Sequence, residues 1–248
     1  MSFKLYGGIY TQLRPLERTE LTTPVVKKSF SIGRSYNTIP PPVLDNMAMW
    51  FDASDISTIT KSGTTISAIA DKTGNNRGWT GTADWVEGGQ NGLDVVGVAQ
   101  AQSINNANMN FSATTCTIFS VTRMVNATVN GRIIQGVSNN WLHGFWQGQH
   151  CAFYYGAFIA SETNQDFLWY VHSSYITSAG AGEGWENGVS KGSAASGLSG
   201  PNNMAINTGN QPTEDTVNQV AEILVYSSQL QAADMRATEL YLRAKWGF

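Results

Sequence analysis

Residues 217–247 read VNQVAEILVYSSQLQAADMRATELYLRAKWG, and the fold class turns on this stretch. Residues 217–226 form a strand-length run rich in β-branched, aliphatic and aromatic side chains. Beyond it, Ala233, Ala237, Leu240, Tyr241 and Ala244 recur at helical spacing and predict one helix with those residues as its apolar face. Ser227-Ser228 offers a cap at its start. Arg243 and Lys245 oppose the negative end of the helix dipole, and Gly247 terminates it. A strand followed by a lone terminal helix predicts a helix packed on or beside a β structure.

Upstream the signal stays β. Short apolar or alternating runs at 47–51, 93–98, 116–124, 132–137, 152–159 and 167–171 lie between turns rich in Gly, Asn, Ser and Thr. Asn91-Gly92, Asn130-Gly131 and Asn187-Gly188 are dipeptides that accept the positive φ of two-residue hairpin turns. Trp185-Glu186-Asn187-Gly188-Val189 reads as such a hairpin. Many short strands at this spacing predict an all-β fold of two antiparallel sheets packed face to face. No repeat of 20–50 residues points to a propeller or solenoid.

The chain has 248 residues, 42% hydrophobic and only 13% charged, with formal net charge −3. Its 25 Gly, 8 Trp, 9 Tyr and 10 Phe exclude a disordered or coiled-coil chain. The longest apolar run, 151–160, contains Gly156 and is too short for a membrane-spanning helix. The opening MSFKLYGGIYTQLRPLER has no apolar core or cleavage site, so no signal peptide is expected. Cys116 and Cys151 form neither a disulfide framework nor a metal spacing.

Charge divides the chain. Residues 1–42 carry Lys4, Arg14, Arg18, Lys27, Lys28 and Arg34 against Glu17 and Glu20, a net +4, while the remainder carries net −7. This basic arm holds scattered apolar residues (Phe3, Leu5, Tyr6, Ile9, Tyr10) and ends in the stiff spacer Pro40-Pro41-Pro42. Two readings of the arm stand open: it packs on another molecule, or it wraps its own body as an edge strand and linker.

The segment Ala221-Glu222-Ile223-Leu224-Val225-Tyr226, with the helix and Tyr241-Leu242-Arg243-Ala244-Lys245-Trp246-Gly247 after it, resembles the end of concanavalin A-like, laminin-G-like jelly-roll domains of bacterial and phage proteins. Met49-Trp50-Phe51-Asp52-Ala53-Ser54-Asp55 is similar to that family's opening strand and turn. Ala70-Asp71-Lys72-Thr73-Gly74-Asn75-Asn76 resembles its next turn, and Asn139 to Trp146 fits its middle. The resemblance covers residues 43–248. It implies a jelly-roll sandwich, with Trp50 and Trp246 in the core, after an extended arm at 1–42. With the separate arm it also implies a structural protein of a tailed-phage virion, made in the host cytoplasm. Fold alone does not fix function.

The residues argue against catalysis. A jelly-roll glycanase needs two carboxylates sharing a strand face. Asp52 and Asp55 lie three apart at a turn, and the last long strand holds only Glu222. His143, His150 and His172 sit among aromatics without a G-x-S-x-G element, and read as structural. His150 and Cys151 are adjacent, so an ideal strand points them to opposite faces and away from a shared metal. Gly180 to Gly184 lacks the Lys-Ser/Thr of a phosphate loop. Calcium would require the Asp52, Asp55 and Asp71 turns to converge; the simpler reading has Asp71 capping the turn after it. No metal and no cofactor is expected.

Carbohydrate binding is the rival to assembly. Trp141, Trp146 and Trp185 are the candidate aromatic platforms, and Trp141 and Trp146 would face opposite sides of one straight strand. The acidic body repels nucleic acid, and no membrane partner is expected. The leading expectation is thus a non-enzymatic virion component, in capsid decoration or a tail or fibre. It would assemble as a homo-oligomer, and with other virion proteins, through Phe3, Leu5, Tyr6, Arg14, Arg18, Lys27 and Lys28. The alternative is a lectin-like module for surface glycans.

Overall fold

A computed structural model describes residues 39–126, 131–159 and 166–248. The arm residues Phe3, Leu5, Tyr6, Arg14, Arg18, Lys27 and Lys28 lie outside the described residues, as does Asn130 of one expected turn.

The strands pair antiparallel throughout the described residues. One sheet runs β5 (Leu93–Val98), β15 (Asn218–Tyr226), β7 (Cys116–Met124), β11 (Tyr170–Ile176), β12 (Gly182–Glu186) and β13 (Val189–Ala194), with β1 (Met47–Asp52) also on β15. The other runs β6 (Ser103–Asn106), β14 (Met204–Asn207), β8 (Ile134–Gly136), β9 (Leu142–Trp146) and β10 (Gln149–Tyr154). Strand β4 (Trp79–Gln90) joins them. Its first residues pair with β6 and its last with β5. Gly81 permits this, because a Cβ there would lie 2.1 Å from the Ser103 carbonyl oxygen. Strands β2 (Ile59–Ser62) and β3 (Thr65–Ile69) add a hairpin against β4.

Two apolar layers follow from strand alternation. Cys116, Ile118 and Met124 of β7 join Phe51, Ile223, Trp141 and Phe153 between the sheets. Phe119 and Val121 of the same strand point outward and join Leu224, Tyr226, Leu242 and Trp246 under the helix α1 (Ala232–Trp246). The sheet is therefore buried on both faces at β15, β7 and β11, which explains the apolar run 220–226, broken only by Glu222.

The helix differs from its sequence reading in two respects. Its N-cap is Gln231, not Ser227-Ser228, and no side chain caps it. Its buried residues are Met235, Thr238, Glu239, Leu242, Lys245 and Trp246, whereas Ala233, Leu240 and Ala244 are exposed. The physical reason is that polar side chains on the buried face find partners in the sheet. Lys245 Nζ lies 2.9 Å from both Asp52 Oδ1 and Glu222 Oε2. Glu222 also accepts from Trp50 Nε1 and Trp246 Nε1, each at 2.8 Å, and from the Tyr241 hydroxyl at 3.0 Å. Gly247 ends the helix with φ +79, as expected. Trp246 is fully buried, while Trp50 is half-buried beneath the Lys72 ammonium, 4.0 Å from its ring centroid.

Candidate functional site

Strands β11 and β12 alternate. Tyr170, His172, Ser174, Gly182, Gly184 and Glu186 face the second sheet. Ser173, Tyr175, Glu183 and Trp185 face outward, toward α1. The β12–β13 turn is Asn187-Gly188 with φ +49 and +81, the hairpin expected from the sequence. Asn187 is tied to β11, its Oδ1 accepting from the Val171 N–H (3.0 Å) and its N–H donating to the Val171 carbonyl (2.8 Å).

Between this outward surface and the Ala232–Arg243 stripe of the helix lies an open groove of about 500 Å³. One wall holds Tyr175 and Trp185, half-buried, with ring centroids 5.7 Å apart. Glu183 stands beside them and accepts from the Ser190 hydroxyl at 2.5 Å. The other wall holds Arg236, exposed, and Arg243, whose Nε donates to the Phe248 carbonyl at 3.2 Å. At the base is Glu239, only 6% exposed. Its Oε1 accepts from the Ser173 hydroxyl. Its Oε2 would lie 2.8 Å from a Cβ on Gly188, so a side chain there would crowd it. Burial raises the Glu239 pKa; the Ser173 hydrogen bond and Arg243 oppose the rise without cancelling it. The groove thus brings together an aromatic wall, charged groups of both signs and a sheltered carboxyl.

The three candidate tryptophans are not brought together. Trp185 is in the groove. Trp141 is fully buried, stacked with Tyr155 at 5.1 Å, so it offers no exposed platform, and its candidacy is corrected to a core residue. Trp146 is half-buried in β9 of the other sheet, where its indole N–H donates to Glu214 at 3.1 Å and its ring packs on Phe158. Sequence reasoning missed Tyr175, Glu183, Arg236 and Glu239. The signal was present in 182–186, where small inward Gly182 and Gly184 alternate with outward Glu183 and Trp185.

The histidines are buried, and they converge across the two sheets. His150 Nδ1 lies 2.6 Å and His172 Nε2 3.2 Å from the same Glu186 oxygen. Burial pushes the Glu186 pKa up, but hydrogen bonds from both histidines outweigh it and hold the value at about 2. His143 Nδ1 meets the Tyr155 hydroxyl at 2.6 Å, and its Nε2 meets the His172 carbonyl at 3.3 Å. A neutral ring with its hydrogen on Nε2 satisfies both contacts. Burial, with His172 adding to it, lowers the His143 pKa to about 3. His143 and Ser174 are fully enclosed. At Cys151, φ +58 and a bulge interrupt the strand alternation, and both His150 and Cys151 are buried.

The acidic turns take a different form from a calcium site. Asp52 and Asp55 converge on Lys72 Nζ, each at 2.9 Å. Asp71 accepts from the Thr73 and Trp50 N–H groups, both at 3.0 Å, and so caps its own turn while tying it to β1. Among the described residues no group of three or more His, Cys, Asp or Glu is arranged to hold a metal ion, and no helix is long and apolar enough to cross a membrane.

No family model matches the chain, and no curated protein matches it. Solved structures do. The binding domain of Paraclostridial Mosquitocidal Protein 1 aligns with TM-score 0.58 and 13% identity, over 82% of this chain and 55% of that one. The binding domain of botulinum neurotoxin serotype C1 aligns with TM-score 0.56 and 13% identity, over 80% of this chain and 52% of that one. Trypanosoma rangeli sialidase in complex with 2,3-difluorosialic acid aligns with TM-score 0.54 and 13% identity, over 85% and 37%. The chain thus spans about half the length of these binding domains. At such identities the likeness is one of fold, and it establishes the body as a β-sandwich of the kind found in toxin binding domains and a sialidase.

Proposed function

We propose that this chain is a non-enzymatic β-sandwich module that binds carbohydrate in the groove between α1 and the β11–β12 surface. The observation that carries the reading is the half-exposed Tyr175–Trp185 pair flanked by Glu183, Arg236 and the sheltered Glu239. The apolar face of a sugar ring packs on an indole, and its hydroxyls bond to carboxylates and guanidinium groups. The fold likeness to toxin binding domains and to a sialidase holding a sialic acid derivative supports it.

The role in a phage virion rests on the resemblance and on the arm's charge. In that role the arm would tie the module to a particle and to sister copies, leaving the groove free for a surface glycan. It has less support than carbohydrate binding, because the solved structures that match include toxin binding domains, a sialidase and an arabinofuranosidase.

The test is a glycan array probed with the full chain. Hits should be lost in Trp185→Ala, with the variant still folded at the assay temperature by circular dichroism, and kept in Trp146→Ala. A central Trp at a binding site contributes about 2 kcal/mol or more, roughly thirtyfold in affinity. An array without hits, or hits that survive Trp185→Ala, would refute the assignment.

A further inference from the structure

The groove does not end at the aromatic pair. Gln229 and Leu230 close one end of it, and the same two residues form the wall of a second depression of about 600 Å³. That depression runs over Leu44 and Asp45 on one side and Gln231 and Asp234, at the start of α1, on the other. The first groove follows the helix from Ala232 to Arg243, about 16 Å at 1.5 Å per residue, before the second adds to it. A single terminal sugar fills a small part of that length. The charges are also distributed unevenly. Two carboxyls and two guanidinium groups face the first groove, whereas Asp45 and Asp234 face the second, with no basic residue in its lining among the described residues. An anionic ligand extending from the aromatic pair would meet those carboxylates.

Resting on the carbohydrate reading, we infer that the ligand is an extended, uncharged oligosaccharide. One ring packs on Trp185 and Tyr175 with a hydroxyl donated to Glu239, and the chain continues across Leu230 toward Asp45 and Asp234. A sialylated or sulfated chain fits the same length but carries the wrong sign at its far end. Glu239 is built for the anchoring role, since it is nearly buried and Ser173 holds one of its oxygens in place.

The experiment titrates the full chain by calorimetry with cello-, chito- and malto-oligosaccharides from mono- to hexasaccharide. It adds N-acetyllactosamine chains with and without a terminal sialic acid. For the series that binds, affinity should rise about tenfold or more from disaccharide to tetrasaccharide. A sialic acid cap should weaken binding, and Asp45→Asn with Asp234→Asn should recover about fivefold for the capped chain while leaving the uncapped chain unchanged. Equal affinity for mono- and tetrasaccharide, or tighter binding of the capped chain, would overturn the inference while leaving carbohydrate binding in place. Binding by no member of the panel would overturn both.

Discussion

Lowering the pH from 7 to 5 should destabilise the sandwich through His143. The unfolded chain takes up a proton on this ring near pH 6.5, whereas in the fold burial and His172 hold its pKa at about 3. A depressed pKa contributes stability that is complete above 6.5 and lost as pH falls toward 3. At pH 5 the solution is 1.5 units below the ring's unfolded pKa, and at about 1.4 kcal/mol per unit the loss is about 2 kcal/mol. His172 shifts in the same direction, for burial outweighs its bond to Glu186, and adds to the loss. Glu222 and Glu239 act oppositely, because burial raises both, and the folded state gains from their protonation as pH falls. Comparison with His143→Gln therefore isolates the ring. Urea unfolding at both pH values should show the variant losing about 2 kcal/mol less than the parent between pH 7 and 5. In the parent, the His143 ring protons should not titrate over that range by NMR. A variant with the same acid sensitivity as the parent, or a ring that titrates near 6.5, would refute the argument.

Other substitutions separate the two sides of the helix. Lys245→Met leaves Asp52 and Glu222 buried without their shared cation and should cost about 3–5 kcal/mol in urea unfolding; a loss below 1 kcal/mol would show the charges re-solvated. Gly188→Ala places a Cβ where φ is +81 and Glu239 Oε2 is 2.8 Å away, so a loss of about 1–2 kcal/mol is expected; a stability equal to the parent's would show that the turn relaxes. Glu239→Gln keeps an acceptor for Ser173 and removes a carboxylate that burial penalises. Its melting temperature at pH 7 should match or exceed the parent's, with glycan affinity reduced; a lower melting temperature would show Glu239 to be held by more than Ser173.

Much of the fold was legible locally. The runs 93–98 and 116–124 coincide with β5 and β7, and two Asn-Gly pairs sit in described hairpin turns with positive φ at both residues. Strand β4 was not legible, because Gly81, Gly88 and Gly89 interrupt its apolar pattern where it passes from one sheet to the other. The helix face was misread for a nonlocal reason. Thr238, Glu239 and Lys245 look like solvent residues until Ser173, Asp52 and Glu222 are placed opposite them. Trp185 was legible as a candidate through its hairpin, but nothing in the sequence distinguished it from Trp141. Only burial did, and burial depends on which sheet each residue joins.

The misread face also explains why there is a groove at all. A helix with a broad apolar stripe would settle flat on Phe119, Val121 and Leu224 and leave little space beside it. Here directional groups add to that apolar contact. Glu222 receives donors from Trp50 of β1 and from Tyr241 and Trp246 of the helix, and shares Lys245 with Asp52. Such bonds tolerate little rotation of the helix about its axis, whereas apolar packing alone tolerates more. The helix also meets the sheet through Glu239, which accepts from Ser173, and the space between Arg236, Leu240 and the Tyr175–Trp185 pair stays open. The buried charges therefore do more than anchor the C-terminus. They tie α1 to β1 and β15, beside the surface on which a ligand would lie.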